Sequence, residues 1–250
     1  MKALVTGASA GIGRAFAGWL ADDGYDLIIT ARREDRLQEM KESLRTDVTA
    51  IRADLSKREE CLDLFRQVEN EDIRIVINNA GFGVFGEFDK TDLDAELDML
   101  QVNVDALHIL TKLFLKKFKE KNEGYILNVA SSAGFFPGPL FSSYYASKAY
   151  VVRLTQAIAE ELRRDGSNVY AGVLCPGPVA TEFNAVANAR GAGIGGLDAV
   201  DVARYALDKM YAKKTMIVPG AVMKIAHSIG RLLPDKLQAR MVYNLQSRKK

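Results

Sequence analysis

At 250 residues the chain is long enough for one large domain or two small ones, with a sizeable buried core. Apolar residues make up 48% and charged residues 26%, an ordinary balance for a soluble globular protein, and no run approaches the length of a membrane-crossing helix. A net charge of +2, with no basic block before the last three residues, excludes an electrostatic nucleic-acid binder. Cys61, Cys175, His108 and His227 lack the spacing of a disulfide framework or a metal site, so no protein-bound metal is expected and the cysteines read as small buried hydrophobes.

The first strand begins at Lys2, leaving no room for a signal peptide, and a cytoplasmic location is expected. Ala3-Leu4-Val5 leads into Thr6-Gly7-Ala8-Ser9-Ala10-Gly11-Ile12-Gly13, and a helical pattern follows through Phe16, Trp19 and Leu20 to Asp22-Asp23-Gly24. Strand, glycine turn and helix in that order let a backbone approach a pyrophosphate, whose charge the helix N-terminus meets. The second strand, Tyr25 to Thr30, ends in Ala31-Arg32-Arg33. A carboxylate there would hold the ribose 2′-hydroxyl of NAD, whereas arginine accommodates the 2′-phosphate of NADP. With the acid absent and Arg32 and Arg33 present, NADP(H) is expected over NAD(H).

The alternation continues with a helix over Arg36 to Leu44, a strand over Val48 to Ala53 and a strand-end turn at Asp54-Leu55. Ser56 is a candidate cap, with Glu59 completing a capping box, for a helix running to about Glu69. Ile73 to Ile77 reads as a strand buried on both faces, ending in Asn78-Asn79-Ala80-Gly81. Repeated β-α units predict a doubly wound parallel sheet with right-handed crossovers. From Asp92 to about Lys121 two helices meet near Leu100, with one face marked by Leu93, Leu97, Leu100, Val104, Leu107, Thr111, Phe114 and Phe118. Asn103 lies beside that face, where asparagine is a poor helix former; it is either solvent-facing or the site of a functional kink.

Tyr125 to Ala130 is the fifth strand, and Tyr144 to Arg164 the next helix. Tyr144 and Lys148, at i and i+4, lie on one helix face. A free tyrosine titrates near pH ~10, and a close cation lowers that value, so the pair can form either a tuned acid/base or a plain surface contact. Val169 to Leu174 is the sixth strand, ending in Cys175-Pro176-Gly177-Pro178. The segment Ala180 to Gly196, rich in glycine (Gly191, Gly193, Gly195, Gly196), predicts a lid or binding loop. Asp198 caps a helix to about Tyr211, and Met216 to Val218 is the last of seven strands. No linker or repeat interrupts the chain, which reads as one domain.

Four signals stand in order: TGASAGIG at Thr6 to Gly13, NNAG at Asn78 to Gly81, a serine loop with YYASK at Tyr144 to Lys148, and PGPVAT at Pro176 to Thr181. Together they resemble the short-chain dehydrogenase/reductase family, in its single-domain branch, over Lys2 to about Val218. The resemblance implies a Rossmann-type sheet with helices on both faces and an NAD(P)-dependent oxidoreductase acting on a carbonyl or secondary alcohol. It assigns Tyr144 as the acid/base, Lys148 to lower its pKa and bind the nicotinamide ribose, Ser131 to hold the substrate oxygen, and Asn103 to anchor a water in the proton relay. Tyr145 and Ser132 are the alternatives to Tyr144 and Ser131. Only Tyr144 has a lysine at i+4, which leaves Tyr145 to packing; the thirteen-residue interval to Tyr144 favours Ser131.

For the cofactor the resemblance implies contacts from Gly7, Ser9, Ala10, Gly11, Ile12 and Gly13 around the phosphates. Arg32 and Arg33 would meet the 2′-phosphate, Asp54 and Leu55 the adenine, and Asn79, Ala80 and Gly81 the adenosine ribose. Pro176, Gly177, Val179 and Thr181 would lie at the carboxamide, and Tyr144 and Lys148 would also touch the cofactor. Ala10 departs from many NADP-dependent relatives, which carry Lys or Arg there. Phe82, Val84, Phe85, Phe135, Phe136, Leu140, Phe141 and Phe183 surround the expected pocket, suggesting an apolar ketone, steroid or 3-oxoacyl substrate. The tail from residue 220 to 250, taken as helical, can cover the pocket, extend an oligomer interface or lie on a membrane surface as a basic amphipathic segment, in that order of preference. A homo-oligomer is implied by relatives that assemble through the helices holding Asn103 and Tyr144. A catalytically silent NADP(H) sensor and a sugar epimerase or dehydratase are the rival readings.

Overall fold

Each expected apolar run becomes a strand: β1 (Lys2–Thr6), β2 (Asp26–Ala31), β3 (Val48–Arg52), β4 (Ile73–Asn78), β5 (Tyr125–Val129), β6 (Tyr170–Leu174) and β7 (Met216–Ile217). In the computed structural model, which describes residues 1–187, 196–230 and 232–247, they form one all-parallel sheet in the order β3-β2-β1-β4-β5-β6-β7. The chain winds outward from β1 to β3, then returns to place β4 on the other side of β1. That reversal opens a crevice at the carboxyl ends of β1 and β4. The architecture is a Rossmann-type doubly wound single domain.

Helices cover both faces. On one side α1 (Gly11–Asp22), α2 (Glu34–Ser43) and α8 (Ala199–Tyr211) pack Phe16, Leu20, Leu37, Met40, Ala206 and Leu207 against the sheet. On the other, α3 (Arg58–Val68), α5 (Leu107–Lys121) and α6 (Ser142–Arg164) contribute Leu64, Leu110, Phe114, Phe118, Ile158 and Leu162. Asp198 caps α8, its Oδ1 accepting from the N–H groups of Val200 and Asp201. Around α3 the capping differs from the Ser56/Glu59 expectation. Lys57 is the N-cap, Ser56 turns back to bond Asp54, and Glu60 accepts from the Asp54 N–H at 2.7 Å.

Between α4 (Leu93–Leu100) and α5, residues Gln101–Ala106 form a π-helical turn. A π-turn holds one more residue per turn than an α-helix, so it rotates everything before it. The single apolar face expected across this region is broken there. Leu93 and Leu97 are exposed, and Glu96 and Met99 take the inward positions. The α6 helix and the strand ends are tied by buried polar groups. Asn78 donates to Asn128 Oδ1 (2.9 Å) and Thr111 Oγ1 (3.1 Å), and Asn128 donates to Thr155 Oγ1 (3.0 Å). Chains of buried hydrogen bonds like this fix strand and helix ends in register, here with Asn78 Oδ1 left unpaired.

The tail folds as α9 (Ala221–Gly230) and α10 (Asp235–Gln246), separated at Pro234. A short α7 (Phe183–Val186) begins the expected lid. The bridge between Val179 and Leu197 pins the two ends of that segment together; Gly191, Gly193 and Gly195, like Arg248, Lys249 and Lys250, lie outside the described residues.

Candidate active site

The crevice is built first from backbone. Gly7 (φ +65°) and Gly11 (φ +53°) occupy the left-handed region, where glycine alone is unstrained. A β-carbon at Gly7 would lie 2.8 Å from Ala80 Cα, and one at Gly11 would lie 2.9 Å from Thr181 Cγ2. The turn after β1 is thus pressed against the turn after β4 on one side and the Pro176–Thr181 loop on the other. Thr6 Oγ1 accepts from the N–H groups of both Asn79 and Ala80 at 3.0 Å, and Asn79 Nδ2 donates to the Thr6 and Gly7 carbonyls. No side chain caps α1, so the N–H groups of its first turn stay available at the crevice floor.

Beside this floor a cavity of about 1040 Å³ opens, at the upper end of the range for small-molecule sites. Gly7, Ser9, Ala10, Gly11, Ile12, Arg32, Arg33, Asp54, Leu55, Asn79, Ala80 and Gly81 line one part of it. Ser131, Tyr144, Lys148, Pro176, Gly177, Val179 and Thr181 line the rest of the expected set. Two expected residues stand behind the wall. Gly13 is there for close packing, since a β-carbon would fall 2.3 Å from the Gly7 carbonyl oxygen. Asn103, wholly buried in the π-turn, donates to Phe82 O (2.9 Å) and Ser147 Oγ (3.1 Å) and accepts from Phe82 N–H (3.1 Å). Its side chain is a strut for the Gly81–Phe82 backbone.

The expected catalytic side chains come together from the turn after β5 and from α6. Ser131 hydrogen-bonds the Tyr144 hydroxyl and accepts from the Ala133 N–H (3.1 Å); Ser132 instead spends its N–H on Pro176 O. Burial pushes the Tyr144 phenol above its ordinary range, and the Ser131 hydrogen bond opposes that rise. Lys148, 4% exposed, donates to Val129 O at 3.0 Å and is pushed down to about 8 by burial. Its ammonium lies 5.8 Å from the Tyr144 ring centre. In the protein alone, then, desolvation rather than the lysine sets the tyrosine, which remains a protonated donor at neutral pH. The thiols of Cys61 and Cys175 are both pushed up to about 12 by burial, which makes them filler rather than nucleophiles.

Glu96 and Gln246 carry no sequence signal, and Tyr145, expected only to pack, reaches the cavity wall. Glu96, buried on α4, accepts from Thr91 Oγ1 (2.7 Å) and Ser143 Oγ (2.8 Å) and so anchors the first turn of α6 beside Tyr144. Tyr145 lines the cavity and receives a 2.7 Å hydrogen bond from Gln246 Nε2 on α10. Of the expected aromatic set, Phe82, Phe136, Phe141 and Phe183 reach the cavity; Val84, Phe85, Phe135 and Leu140 pack behind. The far wall comes from the tail, through Met223, Ile229, Met241, Val242 and Leu245.

Arg33 and Arg36 meet at Glu182, which accepts from them at 2.9 and 2.8 Å, and Arg33 also donates to Ser9 Oγ (3.1 Å). Arg32 places its guanidinium over the Phe82 ring. The glycine cradle, the uncapped helix start and this group of cations fit an anionic dinucleotide. Among the described residues no cluster of His, Cys, Asp and Glu has metal-binding geometry, and no helix is long and apolar enough to cross a membrane.

A family model described as short chain dehydrogenase matches residues 1–191. A very-long-chain 3-oxoacyl-CoA reductase of the duck Anas platyrhynchos is 33% identical over 193 residues, covering 74% of this chain and 61% of the duck protein; the match thus spans about three fifths of that protein's length. A Sphingobium yanoikuyae short-chain dehydrogenase solved in complex with NADPH superposes with TM-score 0.83 at 28% identity, over 92% of this chain and 93% of that one. A Burkholderia phymatum relative, solved in complex with NAD, superposes with TM-score 0.83 at 26% identity, over 92% and 94%.

Proposed function

Because the chain belongs to the short-chain dehydrogenase family, we propose that it is a nicotinamide-dependent oxidoreductase, interconverting an apolar carbonyl compound and its secondary alcohol with NADP(H) as the preferred cofactor. The observation that carries the reading is the convergence of Ser131, Tyr144 and Lys148 on one cavity with the glycine cradle. When bound, the nicotinamide group supplies or accepts the hydride. Gly7, Ser9, Ala10, Gly11, Ile12 and the first turn of α1 would hold its phosphates, with Arg32 and Arg33 at the 2′-phosphate. Asp54, Leu55 and Asn79 to Gly81 would hold the adenosine end, with Pro176, Gly177, Val179 and Thr181 at the other.

In reduction, Tyr144 gives its phenolic proton to the carbonyl oxygen as charge develops there, and Ser131 holds that same oxygen. Burial favours this direction of readiness, since it keeps the phenol protonated until a partner forms. Lys148 holds positive charge beneath the ring and fixes the Val129 backbone. Asn103 keeps Gly81 against the lysine, where a β-carbon at Gly81 would meet both Asn103 Oδ1 (2.8 Å) and Lys148 Nζ (3.2 Å). The absence of a carboxylate at Ala31 supports NADP(H). The apolar wall of Phe141, Phe183, Met223 and Leu245, and the likeness to a 3-oxoacyl-CoA reductase, support a ketone, steroid or 3-oxoacyl substrate.

The test compares wild type with Tyr144→Phe in NADPH affinity and turnover on a panel of apolar ketones. Turnover is expected to fall by about 10²–10⁴ with NADPH binding unchanged. Turnover that survives would remove Tyr144 from the proton path. A wild type that binds NADPH yet reduces nothing would turn the reading to a sensor.

A further inference from the structure

The last helix is built inside out. Along α10, Gln238 and Gln246 are buried at 7% and 5% exposure, while Leu237, Met241 and Leu245 stand 44%, 56% and 60% exposed. Hydrogen bonds explain the inward glutamines. Gln238 Nε2 donates to the carbonyls of Gly230 (3.0 Å) and Leu233 (2.7 Å), closing the turn between α9 and α10, and Gln246 reaches Tyr145 on α6. With polar contacts fixing the inner face, the apolar row points out. On α9, Val222, Ile225 and Ile229 form a second outward row at i, i+3 and i+7, and Leu232 between the helices is exposed as well. Eight of the fifteen exposed large hydrophobics among the described residues lie between Val222 and Leu245. Scattered exposed apolar side chains are ordinary, but a concentration on two joined helices marks an interaction site.

Charge identifies the occupant. Residues 221–250 carry seven Lys and Arg against the single acid Asp235, a formal +6; since the whole chain sums to +2, the remainder is at −4. The exposed cations Lys224, Lys236 and Arg240 flank the two apolar rows. A second copy meeting this face with its own would set +6 against +6, because a two-fold contact pairs a patch with itself. An anionic lipid surface accepts both the apolar rows and the cations. We propose that α9 and α10 seat the protein on an anionic membrane surface, lying in the interface without crossing it.

The placement has a consequence for substrate entry, which rests on the oxidoreductase reading. Ile229, Met241 and Leu245 both line the cavity and are more than half exposed, so they form its rim on this face. An apolar carbonyl compound dissolved in the lipid then enters beneath α10 toward Tyr144 without passing through water.

The test is co-sedimentation of the full chain with vesicles of phosphatidylcholine, with and without phosphatidylglycerol, across a range of salt. Wild type is expected to bind the anionic vesicles and to release as salt rises. The variant Lys224→Gln/Lys236→Gln/Arg240→Gln is expected to lose about fivefold in partition per cation removed. The variant Val222→Ser/Ile225→Ser/Leu237→Ser, at positions outside the cavity wall, is expected to lose more than about tenfold. Both variants should reduce a water-soluble ketone at the wild-type rate, which separates failure of membrane seating from failure of the enzymatic reading. Wild type that stays in the supernatant, or variants that bind as it does, would overturn the proposal. So would a solution dimer that the serine variant dissolves, which would assign the face to a second copy.

Discussion

The two ends of the cavity are made by different physics. At the glycine cradle, backbone presses on backbone, and the tolerances are a few tenths of an ångström around Gly7, Gly11 and Gly13. At the tail wall, two short helices with exposed apolar rows rest on the body through a few contacts: Met223 against the cluster of Val151 and Cys175, the His227 ring on Phe135, and the Gln246 bond to Tyr145. The first region is determined by the fold; the second sits on the fold. The cradle is thereby built into the sheet, while the tail wall can change with little cost to it.

The sharpest break in this contrast is expected at Gly13, where alanine would drive a β-carbon to 2.3 Å from the Gly7 carbonyl. Gly13→Ala should cost about 3 kcal/mol or more in denaturant unfolding and abolish dinucleotide binding. Next comes Lys148, which the fold holds against its own stability. Its folded-state value of about 8 lies below the ordinary lysine range, so between those values the unfolded chain binds the proton and the folded one does not. The penalty is full below pH 8 and fades as pH rises toward 10.5. Lys148→Met should therefore raise stability by ~1–3 kcal/mol at pH 7 while stopping turnover, and its gain over wild type should shrink on alkaline titration. An unfolding midpoint lower than wild type at pH 7 would contradict this.

Smaller effects test the tail. Gln246→Ala removes the bond to Tyr145 and should loosen α10 by ~1–2 kcal/mol, read as faster native-state proteolysis of the tail with an unmoved global midpoint. A shifted global midpoint would mean the tail is part of the core after all. Smallest is Glu182→Gln. Its pairs with Arg33 and Arg36 are near half exposed, so stability should change by less than ~1 kcal/mol. Freed of Glu182, Arg33 should tighten NADPH about two- to fivefold relative to NADH in fluorescence titration. An unchanged ratio would leave the 2′-phosphate to Arg32.

The same contrast governs what could be read from the amino-acid sequence. Strands, their order of use and the glycine turn were legible, because parallel β-α units leave continuous apolar runs and punctuation by glycine. The Tyr144–Lys148 pair was visible as spacing, though its electrostatics were not. Helical spacing puts Lys148 near the phenol, but only the packed site shows that burial outweighs it. Glu96 and Gln246 carry no motif, since each is defined by a partner distant in the chain, and Tyr145, legible within YYASK, was assigned to packing without its Gln246 partner. The face drawn through Leu93 and Leu97 failed for a local reason, the extra residue in the Gln101–Ala106 turn. The orientation of the tail helices carried no sequence signal, and α10 turns Gln238 and Gln246 inward and Leu237 and Leu245 outward.

That turn has a further meaning. A π-turn is what remains when one residue is inserted into a finished α-helix without breaking it. Here the insertion carries Asn103 to the back of Gly81 and swings α4 so that Glu96 can reach Ser143. A chain shortened by one residue between Gln101 and Ala106 would keep its sheet, its helices and its apolar count. What it would lose is the alignment of two struts with Lys148 and Tyr144. The ability to fold and the ability to react are thus separable at a single peptide unit, and this helix carries that unit as a standing irregularity.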